Sequence, residues 1–207
     1  MKKFGVPVFV SILLQGILLL PTQAQQASAP VYKDGDWWKV KVTLSRSEYQ
    51  STTVCQDLYP EYVVKIEQGN PQAYGLHAGT EEKIDCPNVL NQVLGTVVSG
   101  VETPEPLLQY LKFPLQVGQT WSSTFQQKNP GRKVGYRNIN INYKVISFEK
   151  VRTAKGEFDA FKIEASGWQN QSRTIHYAPQ IKAIVHLNSE SESRNRTVAL
   201  QDFQLAQ

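Results

Sequence analysis

Ile139-Asn140-Ile141-Asn142-Tyr143-Lys144-Val145-Ile146-Ser147-Phe148 is the stretch that decides the fold class. Apolar and polar residues alternate through it. Ile139, Ile141, Tyr143 and Val145 fall on one side, and Asn140, Asn142 and Lys144 on the other. Side chains alternate across a β-strand with a period of two, whereas a helix would need apolar residues three and four apart. The stretch therefore predicts a strand with one buried face and one wet face, as in an antiparallel sheet.

The text on either side repeats the pattern. Towards the N-terminus, Gly118 to Phe125 reads as a strand, as does Tyr62 to Glu67, closed by the turn signal Gln68-Gly69-Asn70-Pro71. Asp36-Trp37-Trp38-Lys39-Val40-Lys41-Val42-Thr43-Leu44 places Trp38, Val40, Val42 and Leu44 on one face. Trp38 is thus expected in the core, and Trp37 at least partly exposed. Towards the C-terminus, Phe148 to Val151 and Phe158 to Ile163 predict a hairpin with Gly156 in its turn. Phe161 and Ile163 are its core candidates, while Phe158, Ala160, Lys162 and Glu164 share the opposite face. Arg173 to Tyr177 and Ala183 to Leu187 make another hairpin, and Thr197 to Leu205 a last strand. Helical text is confined to Asn88–Leu94 and Pro106–Leu111. The fold class expected is all-β with minor helix: a single antiparallel curved sheet, half-barrel or barrel-like.

The N-terminus carries a different signal. Met1-Lys2-Lys3 is a short basic region, and Phe4 to Leu20 holds no charge. Thr22-Gln23-Ala24 puts small residues at −3 and −1 of a cut before Gln25. That is the layout of a cleavable secretory signal peptide. The rival, a retained anchor, is disfavoured by Gln15, Gly16 and the small-residue exit, and no Cys stands near the cut to take a lipid. The domain plan is residues 1–24 signal peptide, 25–31 flexible tether and 32–207 a single β-rich domain, periplasmic or secreted. No later segment is long and apolar enough to span a membrane. Removing residues 1–24 takes away Lys2 and Lys3 and no acid, so the formal charge falls from +4 to +2. The closest approach to a basic patch, Lys128 to Arg137, reads as a solvated loop, so nucleic acid is not an expected partner.

Two cysteines, Cys55 and Cys86, make an even pair in an oxidising compartment. They are expected to form a structural disulfide. A redox pair would want the thiols in a Cys-x-x-Cys spacing and a helix N-terminus beside one of them, and neither condition is visible.

Chemistry leaves little trace. No G-x-S-x-G elbow, H-E-x-x-H, P-loop or G-x-G-x-x-G stands in the chain. The histidines are His77, His176 and His186. The last two flank one hairpin; a five-residue loop pairing Tyr177 with Ala183 would put them on one face, and a four-residue loop would separate them. A metal site would need a third ligand nearby, and none is implied. No catalytic residue, metal or cofactor is expected. Asn170-Gln171-Ser172 and Asn195-Arg196-Thr197 match the glycosylation acceptor pattern; the compact signal peptide points to a bacterial source, in which that pattern would carry no meaning. Aromatic residues are the better lead, since so many fall on predicted strands. They can fill a core or line an apolar pocket, and the sequence does not separate the two.

Four segments carry a resemblance. Phe113-Pro114-Leu115-Gln116-Val117-Gly118-Gln119-Thr120-Trp121 resembles a Phe-Pro-Leu-x-x-Gly-x-x-Trp element. Val151 to Ile163 resembles a strand pair with Thr-x-x-Gly-x-Phe-x-Ala-Phe-Lys-Ile. Tyr177-Ala178-Pro179-Gln180-Ile181-Lys182-Ala183-Ile184-Val185 is similar to a Tyr-Ala-Pro hairpin, and Asp34-Gly35-Asp36-Trp37-Trp38 to a Gly-Asp-x-Trp opening. Together they resemble a family of bacterial exported domains of unknown function, over residues 113–205 and this opening. The resemblance implies a half-barrel sheet loosely similar to periplasmic lipoprotein carriers, and it brings no catalytic residues. Export, the strand-rich aromatic text and the lack of a catalytic constellation make the leading expectation a non-catalytic periplasmic binding domain for an apolar small molecule or lipid; the alternative is an envelope protein-interaction or structural module.

Overall fold

The computed structural model describes residues 25–45, 55, 58–95, 109–128, 136–168, 171–190 and 195–207. The signal peptide, most of the Lys128 to Arg137 stretch, Asn170 and the first half of the second expected helix lie outside the described residues. Ten strands form one antiparallel sheet: β2 (Trp37–Ser45), β3 (Glu61–Glu67), β4 (Asn70–His77), β5 (Thr80–Ile84), β7 (Thr120–Lys128), β8 (Tyr136–Thr153), β9 (Gly156–Trp168), β10 (Gln171–Ala178), β11 (Ala183–Glu190) and β12 (Asn195–Gln204). Their order is β5-β4-β3-β2-β12-β11-β10-β9-β8-β7. Two hairpin-linked meanders are thus joined where β2 pairs with β12. The sheet is open, with β5 and β7 as its edges, so the barrel-like closure among the expectations is not formed. A separate two-stranded ribbon pairs β1 (Gln26–Ala27) with β6 (Leu115–Gln116), placing part of the expected tether against the domain.

One face of the sheet is the core. Val145, Ile163, Ile175, Leu187, Val198 and Val42 are successive cross-strand partners from β8 to β2, and all six are buried. Side chains opposite each other in an antiparallel pair point to the same side, so this row runs straight across six strands. The alternation from Ile139 to Val145 holds residue by residue. Trp38 is fully buried and Trp37 half-buried, as their parity requires.

Over this face lie α1 (Pro87–Leu94) and the segment from Tyr110 to Leu115. The helix directs Val89, Leu90, Val93 and Leu94 into the core. Its first turn follows Cys86, which is bridged to Cys55 with Cα atoms 5.8 Å apart. The disulfide therefore staples the helix to the chain entering β3. Nearby, the Tyr62 hydroxyl donates to the Cys55 carbonyl and accepts from the Tyr59 backbone N–H, both at 3.0 Å. A Cβ on Gly75 would lie 2.5 Å from the Tyr59 ring, so the strand needs glycine there.

The β8–β9 hairpin turns through Ala154 and Lys155, with Gly156 directly after them at φ 130. Only glycine takes that backbone conformation without strain. Phe161 and Ile163 are fully buried, as expected. The other face departs from expectation, because Ala160 is also fully buried and Phe158 is half-buried. The long hairpin curls until its tip reaches β12, three places from β9 in the sheet order. The Phe158 ring meets that of Phe203 at 5.7 Å, and Lys155 Nζ lies 2.6 Å from Asp202 Oδ1. Parity assigns a residue to a face; it does not say when the sheet bends back to cover that face.

Candidate functional site

The resembling segments converge on the Pro179–Ile181 turn between β10 and β11. Trp38 Nε1 donates to the Ile181 carbonyl at 2.7 Å. The Tyr32 hydroxyl donates to the Lys182 carbonyl at 3.3 Å. Phe113 meets Tyr177 edge-on at 5.4 Å, and Phe161 is the cross-strand partner of Tyr177. Asp36 is fully buried and accepts from Lys182 Nζ at 2.9 Å, from the Ala206 N–H at 2.8 Å and from the Lys33 N–H at 3.0 Å. Burial pushes the hydroxyl of Tyr32 far above its ordinary pKa, and the nearby Tyr177 and Asp36 push it the same way. The cluster ties both ends of the domain to one turn. It is a structural knot, with its aromatic rings packed on each other and on the sheet.

The other face is polar and holds a groove of about 660 Å³ over β7, β8, β9 and β10. Two transverse rows line it. Thr120, Lys144, Glu164 and Thr174 are successive cross-strand partners, and so are Ser122, Asn142, Ser166 and Ser172. Strands lie about 4.8 Å apart, so each row presents polar side chains at that spacing. Ser122 Oγ and Asn142 Oδ1 are 2.7 Å apart. Ile146, the bulge residue of β8, adds an exposed apolar lip. β7, at one side of the groove, is an edge of the sheet.

One row further along the same face stand the histidines. Ser147, Lys162, His176, His186 and Ala199 are successive cross-strand partners. The loop between Ala178 and Ala183 has four residues, which alone would put His176 and His186 on opposite faces. A bulge at Val185 shifts the register by one and brings them together, with ring centroids 5.8 Å apart. Glu149 Oε1 lies 3.4 Å from His176 Nε2, and Ser147 Oγ donates to Glu149 Oε2 at 2.6 Å. The hydrogen bond from Ser147 is the chief reason the Glu149 carboxyl titrates below its ordinary value. Burial likewise lowers both imidazoles. His77 stands apart, exposed at the end of β4. No group of three metal-ligating side chains occurs among the described residues, nor any helix long and apolar enough to cross a membrane.

No family model and no curated protein matches the chain. Three solved structures are similar to it in outline. The hypothetical lipoprotein YmcC from Escherichia coli K12 is 9% identical, over 80% of this chain and 84% of its own, with a TM-score of 0.38. A Bacteroides fragilis protein described as exported, with a YmcC-like fold, is 10% identical over 86% of this chain and 99% of its own, at 0.35. A Parabacteroides distasonis protein described as a lipoprotein is 9% identical over 86% and 99%, at 0.32.

Proposed function

We propose that the chain is a non-catalytic module of the extracytoplasmic space that works by surface contact with a protein partner, held at the polar groove over β7–β10. Two features support the location: the signal-peptide layout of residues 1–24 and the Cys55–Cys86 bridge, which belongs to an oxidising compartment. The observation that carries the mode of action is the filled inner face. Trp38, Tyr62, Tyr143, Phe161 and Tyr177 are buried in one core. Trp121 stacks on Tyr143 at 5.1 Å, and Phe148 meets Phe161 at 4.6 Å. The rings that an apolar carrier would use to line its cavity are used to close it. Among the described residues the outer groove is open: Ser122, Asn142, Glu164, Ser166 and Ser172 offer it hydrogen bonds and Ile146 an apolar contact, beside an edge strand to which an extended segment can add.

A photo-crosslinking amino acid placed at Asn142 or Ser166 tests this in cells of the source organism. The same protein captured from both groove positions, and not from Lys83 on the far edge, supports the reading. A lipid recovered stoichiometrically from the purified protein, with no groove-specific capture, overturns it.

A further inference from the structure

We propose that His176 and His186 form a two-imidazole site for a late first-row divalent metal ion, Cu²⁺ above all, with Glu149 as the carboxylate that orients His176. Tautomer and register single out this pair, whatever the groove holds. An ionised carboxylate only accepts hydrogen bonds, so the proton between Glu149 Oε1 and His176 Nε2 sits on Nε2. That leaves a lone pair on His176 Nδ1, which is buried and has no hydrogen-bond partner. A buried, unsatisfied polar atom calls for a reason. A metal-bound histidine has this same arrangement: one ring nitrogen donates to a carboxylate while the other binds the metal.

The second ligand is supplied by the bulge. Without the extra residue at Val185, His186 would point into the core. With it, the rings stand side by side on β10 and β11. Two imidazoles on one metal, with metal–nitrogen bonds of about 2.0–2.1 Å, have centroids on the order of 5–6 Å apart; these are 5.8 Å apart. Lys162, the partner of His176 on β9, has its ammonium 3.9 Å from Glu164. With two protein ligands, the remaining positions fall to water or to a group on a bound partner. Among divalent ions of this row, imidazole sites hold Cu²⁺ most tightly.

The test is Cu²⁺ titration of the exported, disulfide-bonded chain after chelator treatment, in a His77→Ala background that removes the exposed histidine. One Cu²⁺ per chain with two nitrogen couplings in the electron paramagnetic resonance spectrum is expected, together with a higher Tm on binding. His186→Gln should leave a single coupling and weaken binding by at least ~10-fold, as should His176→Asn. Glu149→Gln should keep both couplings and weaken binding about tenfold. Folding of each variant is checked by circular dichroism, and His186→Gln, the change furthest from the Glu149 contact, keeps the test open if His176→Asn does not fold. Binding as tight in His186→Gln as in its parent, or no binding by the parent, overturns the proposal.

Discussion

Lys182 Nζ hydrogen-bonds the buried carboxylate of Asp36 at 2.9 Å, across 146 residues of chain. Asp36 ends the turn that enters β2, and Lys182 ends the turn that enters β11 in a left-handed conformation, φ 59. The Ala206 N–H closes the same carboxylate from the C-terminus. One side chain thus fixes three distant pieces of backbone. Removing one partner of a buried pair leaves an uncompensated charge or orphaned donors, at a cost of about 3–5 kcal/mol. Asp36→Ala should cost that much in urea denaturation. Asp36→Asn keeps an acceptor for one of the two backbone N–H groups, which reach different carboxylate oxygens, and should lose less.

The same pair sets an acid limit. Burial pushes the Asp36 carboxyl up, but the hydrogen bond from Lys182 and those from the Lys33 and Ala206 N–H groups outweigh it and hold the carboxyl below its ordinary value. The unfolded chain therefore takes up this proton first as the pH falls. The contribution is complete above the unfolded value of about 3.9 and is lost as the pH drops below it through the lower folded value. Lys182→Met should flatten that loss. Stability measured by urea between pH 6 and pH 3 checks this: an equally steep acid loss in the variant would take Asp36 out of the account.

The disulfide closes a loop of 31 residues between the end of β2 and the start of α1. Loop-closure entropy makes such a bridge worth roughly 3–4 kcal/mol. Cys55→Ser with Cys86→Ser should lower the Tm and loosen α1 first. The sheet from β8 to β11 is built from local hairpins and should keep its amide protection longest. Hydrogen exchange on the reduced and oxidised protein separates the two regions.

Strand identity was legible where a strand has one wet face. Asn140, Asn142 and Lys144 mark β8, and Lys39 and Lys41 mark β2, because alternation is a local property of the chain. Register was not. A single bulge at Val185 decides whether His176 and His186 meet, and bulge position depends on how β11 fits its neighbours. The partners of Asp36 could not be read either, since Lys182 and Ala206 come close only once β2 has paired with β12. Glu149 was missed for the same reason: it meets His176 across the intervening strand β9. Whether the aromatics line a pocket or fill a core was left open by the sequence; among the described residues α1 and the Tyr110–Leu115 segment pack against the aromatic face of the sheet.

Phe161 and Phe158 lie three residues apart on β9 and face different surroundings. Phe161 is fully buried, with the Phe148 ring 4.6 Å away and Tyr177 as its cross-strand partner. Cutting it to alanine removes a core side chain and leaves a cavity, which costs about 3–5 kcal/mol. A domain of ordinary stability, about 5–15 kcal/mol, would lose much of its margin. Phe158 is half-buried, and its chief aromatic contact is Phe203 at 5.7 Å. Its loss exposes less apolar surface and should cost about half as much. The two changes should also differ in kind. Phe158→Ala frees the hairpin tip from β12, so it should add to Lys155→Ala by less than the sum of the two single losses, since both remove the same clasp. Phe161→Ala and Lys155→Ala act on separate structures and should simply add. Urea melts of the three single and two double variants decide it: equal, small losses for the two phenylalanines would show that the hairpin is not part of the core, and strict additivity of Phe158→Ala with Lys155→Ala would show that the tip is not clasped.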